Sequence, residues 1–250
     1  MNVGRALIVM PTYNEHDNVP KIVPEILAAS PEVDILIVDD SSPDGTGEVA
    51  DALARRDSRV KVLHRPHKDG LGRAYLAGFA HALSEGYGRV LEMDADCSHD
   101  PAALPSLLAA SREADLVLGS RYVRGGGTVH WGLGRRLLSR AGSLYARTVL
   151  GVSVKDLTGG FKCFRREVLE GIDLSTVTST GYAFQIELTY RAIRRGFRVV
   201  EVPITFADRR VGRSKMSRAI VLEALWKVWA IRAFRKRSGQ EDGSKPSRAA

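Results

Sequence analysis

Only two cysteines, Cys97 and Cys163, occur in 250 residues. Their spacing suits neither a zinc site nor a Cys-x-x-Cys redox pair, which excludes disulfides and structural zinc as the basis of the fold. The six histidines lack metal-ligand spacing too. No uninterrupted apolar run reaches the roughly 18 residues that suggest a membrane-spanning helix. Any membrane contact is therefore expected to be peripheral or made through a membrane-embedded partner. No secretory leader precedes the first expected strand at Ala6, and a reducing cytosol is the expected setting. Also missing is a glycine-rich phosphate loop after that strand, which argues against a nucleotidyltransferase. Aromatics make up 7% of the chain and are not interleaved with cations as in a nucleic-acid stacking platform. Acidic residues are in deficit, 29 against 37 Lys and Arg, giving +8 and a pI near 9.7. That excess favours anionic partners: nucleotides, phosphorylated lipids or an acidic membrane surface.

What is present has ordinary globular composition, 44% hydrophobic and 26% charged, enough for one sizeable core. Short apolar runs at Ala6 to Met10, Asp34 to Val38, Val60 to His64, Arg89 to Met93, Leu116 to Leu118 and Val199 to Ile204 read as strands. Helical spacing falls between them over Asn18 to Ala29, Gly47 to Arg56 and Ala74 to Glu85, and later over Arg135 to Leu150 and Ala183 to Arg195. Strands alternating with helices predict an α/β fold with a mostly parallel sheet flanked by helices. Ligands of such sheets lie beyond the carboxyl ends of the strands. Gly125 to Gly134 is expected to be a mobile loop. The expected organisation is a catalytic domain over 1–217, an amphipathic helix over 218–237 and a disordered polar tail over 238–250. In that helix Ile220, Leu225, Trp229 and Phe234 share an apolar side with a mainly basic remainder, suited either to the core or to a headgroup boundary.

Polar clusters sit at three successive strand ends. Asp94-Ala95-Asp96 places two carboxylates two residues apart where the chain leaves the fourth strand, a pair that suits a hard cation such as Mg²⁺ or Mn²⁺ but also fits a solvated turn. Pro11-Thr12-Tyr13-Asn14-Glu15 follows the first strand, and Val38-Asp39-Asp40 with Ser41 to Thr46 follows the second. Tyr13 offers a ring to a base, and Glu15 and Asp40 offer acceptors to amines or ribose hydroxyls. Turn chemistry explains any one of these alone. Arg121, after a further strand, carries a guanidinium able to grip phosphate oxygens bidentately. Arg135, Arg136, Ser139 and Arg140 form a basic helix face, and Arg209 to Lys215 a second basic group.

Taken in order, Pro11 to Glu15, Val38 to Thr46, Lys68-Asp69-Gly70-Leu71-Gly72, Met93 to Asp96 with Ser98-His99-Asp100-Pro101, and Gly119-Ser120-Arg121-Tyr122 resemble inverting family-two glycosyltransferases. Within them the set is similar to the dolichyl- or polyprenyl-phosphate mannose synthases, over about Ala6 to Met216. The resemblance implies a GT-A-type, Rossmann-like fold and transfer of mannose from GDP-mannose to a polyprenyl (dolichyl-type) phosphate, with inversion, at the cytoplasmic face of the membrane. It implies that Pro11, Tyr13, Glu15, Val38 and Asp40 bind the nucleoside. Asp94, Ala95 and Asp96 would bind diphosphate and metal, with Ser98 in place of the glutamine many relatives carry. Arg209 and Lys215 would close over the donor, Gly212 serving as a hinge, while the positions of Arg135 and Ser139 would hold the acceptor phosphate. Arg121, by its guanidinium and its place at a strand end, is expected nearest the reacting phosphates, touching both donor and acceptor, and with Asp96 is the catalytic candidate. Asp156 to Lys162 resembles a further family segment on the acceptor side. Asp96 or Glu187 would serve if a base were used. The alternatives are a UDP-sugar donor with glucose or an aminosugar, and a non-catalytic sugar-nucleotide or nucleic-acid binding module.

Overall fold

The computed structural model describes residues 4–208 and 226–233. In chain order the elements are β1 (Ala6–Thr12), α1 (Val19–Ala29), β2 (Val33–Asp39), α2 (Thr46–Arg56), β3 (Val60–His64), α3 (Leu71–Ser84), β4 (Arg89–Glu92), α4 (Leu104–Ala110), β5 (Leu116–Ser120), β6 (Gly127–Val129), α5 (Leu133–Leu150), β7 (Lys162–Arg165), α6 (Arg166–Gly171), α7 (Gly181–Arg194), β8 (Val199–Pro203) and β9 (Thr205–Ala207). Seven strands form one sheet in the order β3-β2-β1-β4-β7-β5-β8. The continuous apolar run of β2 is buried along its whole length, as a central parallel strand covered on both faces must be. Successive residues of β1 feed opposite cores: Leu7 and Val9 pack with Tyr75, Phe79, Phe164 and Phe184, whereas Ile8 and Met10 pack with Ile22, Ile26, Leu104 and Leu107.

Strand order reverses at β1, which has β2 on one side and β4 on the other. In such sheets the crevice beyond the carboxyl ends at the reversal is where ligands bind. The chain departs from simple alternation at β7. This strand runs antiparallel between β4 and β5, with Lys162 beside both Glu92 and Leu118. Its loop of entry, residues 156–161, therefore opens on the same edge as the ends of β1, β2, β4 and β5. The sequence hid this strand because Lys162, a charged residue, occupies a fully buried position.

The glycine-rich segment expected to be a mobile loop instead contributes β6, which pairs in parallel with β9. A Cβ at Gly126 would fall 2.4 Å from the Ser120 carbonyl oxygen, so only glycine lets the segment lie this close to β5. Of the expected C-terminal helix, residues 226–233 are described and helical. Val228 and Ile231 are buried, and Arg232 donates to the Val149 carbonyl at 2.5 Å. Trp226 and Trp229 remain 75% and 50% exposed. The rest of the 218–237 span, and the 238–250 tail, lie outside the described residues.

Candidate active site

The acidic pair ending β2 divides its labour. Asp39 is consumed by the turn, accepting from Thr12 Oγ1 at 3.0 Å, Ser42 Oγ at 2.6 Å and Ser42 N–H at 3.0 Å. Asp40, 4% exposed, is paired with Arg65 at 2.5 Å. Glu15 is held by its own N–H on Thr46 Oγ1 at 2.9 Å, and its carboxylate accepts from Asn18 Nδ2 at 2.7 Å. Lys68 stands over the Tyr13 ring, 3.6 Å from the centroid, so the Lys68-to-Gly72 motif is brought directly onto the Pro11-to-Glu15 motif. Pro11 and Val38 are register partners. Val38 is fully enclosed and underpins the strand ends rather than lining a surface.

Beyond β4 the chain folds back on itself at Cys97, φ 59°. Three contacts fix this turn. Ser98 N–H donates to Asp96 Oδ1 at 3.1 Å, Asp94 N–H donates to His99 Nδ1 at 3.1 Å, and Tyr75 Oη donates to Asp94 Oδ1 at 3.1 Å. Accepting from a backbone N–H places the proton of the His99 ring on Nε2, and burial lowers the pKa of this histidine, favouring the neutral ring. The ring stacks on Phe161 at 4.8 Å and meets the edge of Phe206 at 5.3 Å. Burial raises the Tyr75 phenol well above its ordinary value, which keeps it a donor. Cys97 is buried, as a packing residue would be.

Ser98 is 1% exposed and its Oγ has no hydrogen-bond partner. A buried hydroxyl is rarely left unpaired. Its backbone N–H is on Asp96, so Asp94, Asp96 and Ser98 belong to one turn, and oxygen donors of this kind are what a hard divalent cation takes. Among the described residues no group of three His, Cys, Asp or Glu side chains could enclose a metal.

Arg121 is placed differently from a free phosphate grip. Its Nε and Nη2 bond Asp156 at 2.7 and 2.6 Å, its N–H bonds the same carboxylate at 3.0 Å, and Nη2 also reaches Thr158 Oγ1 at 2.9 Å. Asp156 is itself held by Glu201, which accepts from its N–H at 2.9 Å and from that of Lys155 at 2.8 Å. Around the guanidinium lie the rings of Tyr122, Trp131 and Phe206 at 5.2, 5.5 and 5.4 Å. The Arg135 guanidinium lies 4.0 Å over Trp131 and bonds Asp208 at 2.6 Å. Ser139 accepts from Tyr122 Oη at 2.6 Å. Arg121, Arg135 and Ser139, separate in sequence, therefore converge through Tyr122 and Trp131. Glu187 is occupied by Arg191 at 2.5 Å and by the Ser179 N–H at 3.3 Å, a poor arrangement for a base. Arg209 and Lys215 lie outside the described residues.

Beneath the carboxylate turn sit two fully buried ionisable groups with no role assigned from sequence, Glu92 and Lys162. Burial pushes Glu92 up to about 7, opposed by Lys162, and pushes Lys162 down to about 8, opposed by Glu92. Lys162 Nζ donates to the Gln185 carbonyl at 2.7 Å. Tyr75 and Trp131 were also missed. Tyr75 stands among apolar residues in the sequence, and the partners of Trp131, Arg121 and Arg135, are brought to it by the fold, so nothing local marks either residue.

The glycosyl transferase family 2 profile matches residues 7–173. Polyprenol monophosphomannose synthase of Mycolicibacterium smegmatis is 55% identical over 232 residues, 91% of this chain and 88% of that one. Undecaprenyl-phosphate mannosyltransferase of Micrococcus luteus is 51% identical over 231 residues, 92% and 95% of the two chains. Among solved structures, glucosyl-3-phosphoglycerate synthase from Mycobacterium tuberculosis, in complex with Mn²⁺, UDP-glucose and phosphoglyceric acid, superposes with a TM-score of 0.68 at 19% identity, covering 92% of this chain and 80% of that one. At that identity the likeness speaks to the fold.

Proposed function

Because this chain belongs to glycosyl transferase family 2, we propose that it transfers mannose from GDP-mannose to a polyprenyl phosphate with inversion at the anomeric carbon. The observation that carries the proposal is the meeting, through the Phe206 ring, of the Asp94-to-His99 turn with the guanidinium groups of Arg121 and Arg135, which share the Trp131 ring and are each oriented by a carboxylate. The first suits a metal-bound diphosphate and the second a phosphate monoester. The mannosyltransferase relatives named above support the sugar and the lipid class.

Asp94, Asp96 and Ser98 would hold Mg²⁺ or Mn²⁺, which when bound would offset charge on the departing nucleoside diphosphate. Tyr13, Glu15 and Asp40 would bind the nucleoside, the role the sequence resemblance gives them; Arg209 and Lys215, which it assigns to the donor diphosphate, lie outside the described residues. The acceptor phosphate is an anion at neutral pH and needs no strong base. Asp156 locks Arg121 in one orientation, so that Arg121 and Arg135 align a phosphate oxygen behind the anomeric carbon. That oxygen forms the new bond while the diphosphate leaves with the electron pair, which converts an α-linked donor to a β-linked product.

The outer face of α5 supports a membrane surface as the workplace. Leu133, Leu137 and Leu144 are 82%, 71% and 58% exposed beside exposed Arg136 and Arg140, a pattern suited to an anionic headgroup boundary. Among the described residues no helix is long and apolar enough to cross a membrane. Exposed Trp226 and Trp229 extend the same proposal, with a membrane-embedded partner as the other taker of that side.

The test supplies labelled GDP-mannose, UDP-glucose or UDP-GlcNAc with a polyprenyl phosphate and Mg²⁺ or Mn²⁺. Lipid-linked label from GDP-mannose alone, lost in Asp96→Ala, is the expected result. Label from a UDP-sugar only would move the chain to glucosyl or aminosugar transfer, and undiminished activity in excess chelator would overturn the metal site.

A further inference from the structure

Asp94 leaves the sheet at the point where a side chain gains rotational freedom, yet it is gripped twice from inside the protein. His99 holds its main-chain N–H, and Tyr75 holds its carboxylate. Tyr75 belongs to α3, and its ring stacks between Phe184 and Phe79, each 6.0 Å away, at interplanar angles of 8° and 28°. Phenylalanine would fill that stack equally well. The hydroxyl is the part needing an explanation, because a polar atom in a fully buried side chain is costly unless it is bonded.

The depth of α3 is what lets the hydroxyl reach. A Cβ at Gly78 would lie 2.3 Å from Val9 Cγ1, and one at Gly72 would lie 3.0 Å from the Phe184 ring and 3.1 Å from the Ser179 carbonyl. Two glycines thus let the helix settle on β1 and α7, and that seating brings Tyr75 to Asp94.

We propose that Tyr75 is a positioning residue for the donor: its hydroxyl sets the orientation of the Asp94 carboxylate, while His99 sets the backbone of the same residue. The proposal rests on the reading of Asp94 as a ligand of the metal-bound diphosphate. Outer-shell partners of this kind change metal affinity by about 10- to 100-fold when removed.

The decisive variant is Tyr75→Phe, which removes one oxygen and keeps the ring. Mn²⁺ binding is followed by loss of the free-ion EPR signal, with GDP and separately with UDP present, alongside donor and acceptor KM values and the melting midpoint. Expected are about a tenfold weaker Mn²⁺ isotherm, a raised donor KM and an unmoved acceptor KM. In an Asp94→Asn background Tyr75→Phe should add nothing further. Phe79→Leu, which loosens the same stack without touching the hydroxyl, should lower the melting midpoint and leave the isotherm in place. An unchanged isotherm in Tyr75→Phe overturns the inference alone. So does an equal loss in Phe79→Leu, which would assign the effect to packing. Absence of Mn²⁺ binding by the unaltered protein with either nucleotide overturns the reading of Asp94 and this inference with it.

Discussion

Truncating Asp156 to alanine is expected to lower folding stability by about 3–5 kcal/mol, the range for breaking a buried ion pair from one side. Arg121 is 5% exposed and the Asp156 side chain 0%. The carboxylate accepts three bonds from Arg121 between 2.6 and 3.0 Å. Without it the guanidinium keeps Thr158 Oγ1 as a partner but has lost its counter-charge while remaining almost wholly shielded from solvent. A domain stable by about 5–15 kcal/mol would give up a large fraction of its margin. Urea unfolding at pH 7, followed by tryptophan fluorescence, measures the loss, and Trp131 lies 5.5 Å from the guanidinium to report on it. Arg121→Met added to Asp156→Ala should restore part of the stability, since the stranded charge is then gone. A loss under about 1 kcal/mol, or additive effects of the two single changes, would refute the argument.

Gly78→Ala should destabilise by about 1–3 kcal/mol or more through overpacking against Val9, and a neutral outcome in the same unfolding assay would show that α3 can lift without cost. Glu92 holds its proton to about pH 7 in the native chain, whereas the unfolded chain releases it near 4.5. Its contribution to stability is therefore present below pH 4.5 and lost, by up to about 3 kcal/mol, as pH rises to 7. Glu92→Gln should remove that slope from a pH series of melting midpoints, and an identical slope in the variant would contradict it. Leu133→Glu with Leu137→Glu should leave stability within about 0.5 kcal/mol and reduce flotation with anionic vesicles, because both side chains are largely exposed. Undiminished flotation would clear α5 of the role.

The parallel half of the sheet was legible because burial on both faces leaves an unmistakable apolar run, as in Ile35 to Val38. Asp94, Asp96 and Ser98 were legible as a cluster because a turn keeps sequence neighbours together. What escaped the sequence shares one physical cause: partners chosen by the tertiary fold leave no local mark. Asp156 lay within a recognised motif without a role because its partner, Arg121, is remote in the chain. Tyr75 looked like core, which its ring is. Lys162 disguised a strand because a lysine with its Nζ on a helix carbonyl can be buried. The glycines of the 125–134 segment suggested mobility, whereas Gly126 serves close approach to β5.

The antiparallel insertion of β7 has a consequence for the order of assembly. β1 through β4 span Ala6 to Glu92, and each pairs with strands from the same stretch, so this half of the sheet can zip from near neighbours. β5 cannot join it directly. It must wait until the chain has passed through α5 and returned with β7, whose partners Glu92 and Leu118 both lie well upstream. Closing such loops before their contacts form is slow. Refolding is therefore expected to order the β1–β4 half first, so that amides of Ile8 and Ile37 gain exchange protection before those of Val117 and Cys163. The strand ends that carry Tyr13, Asp40 and Asp94 would then exist for a time without Arg121 and Asp156.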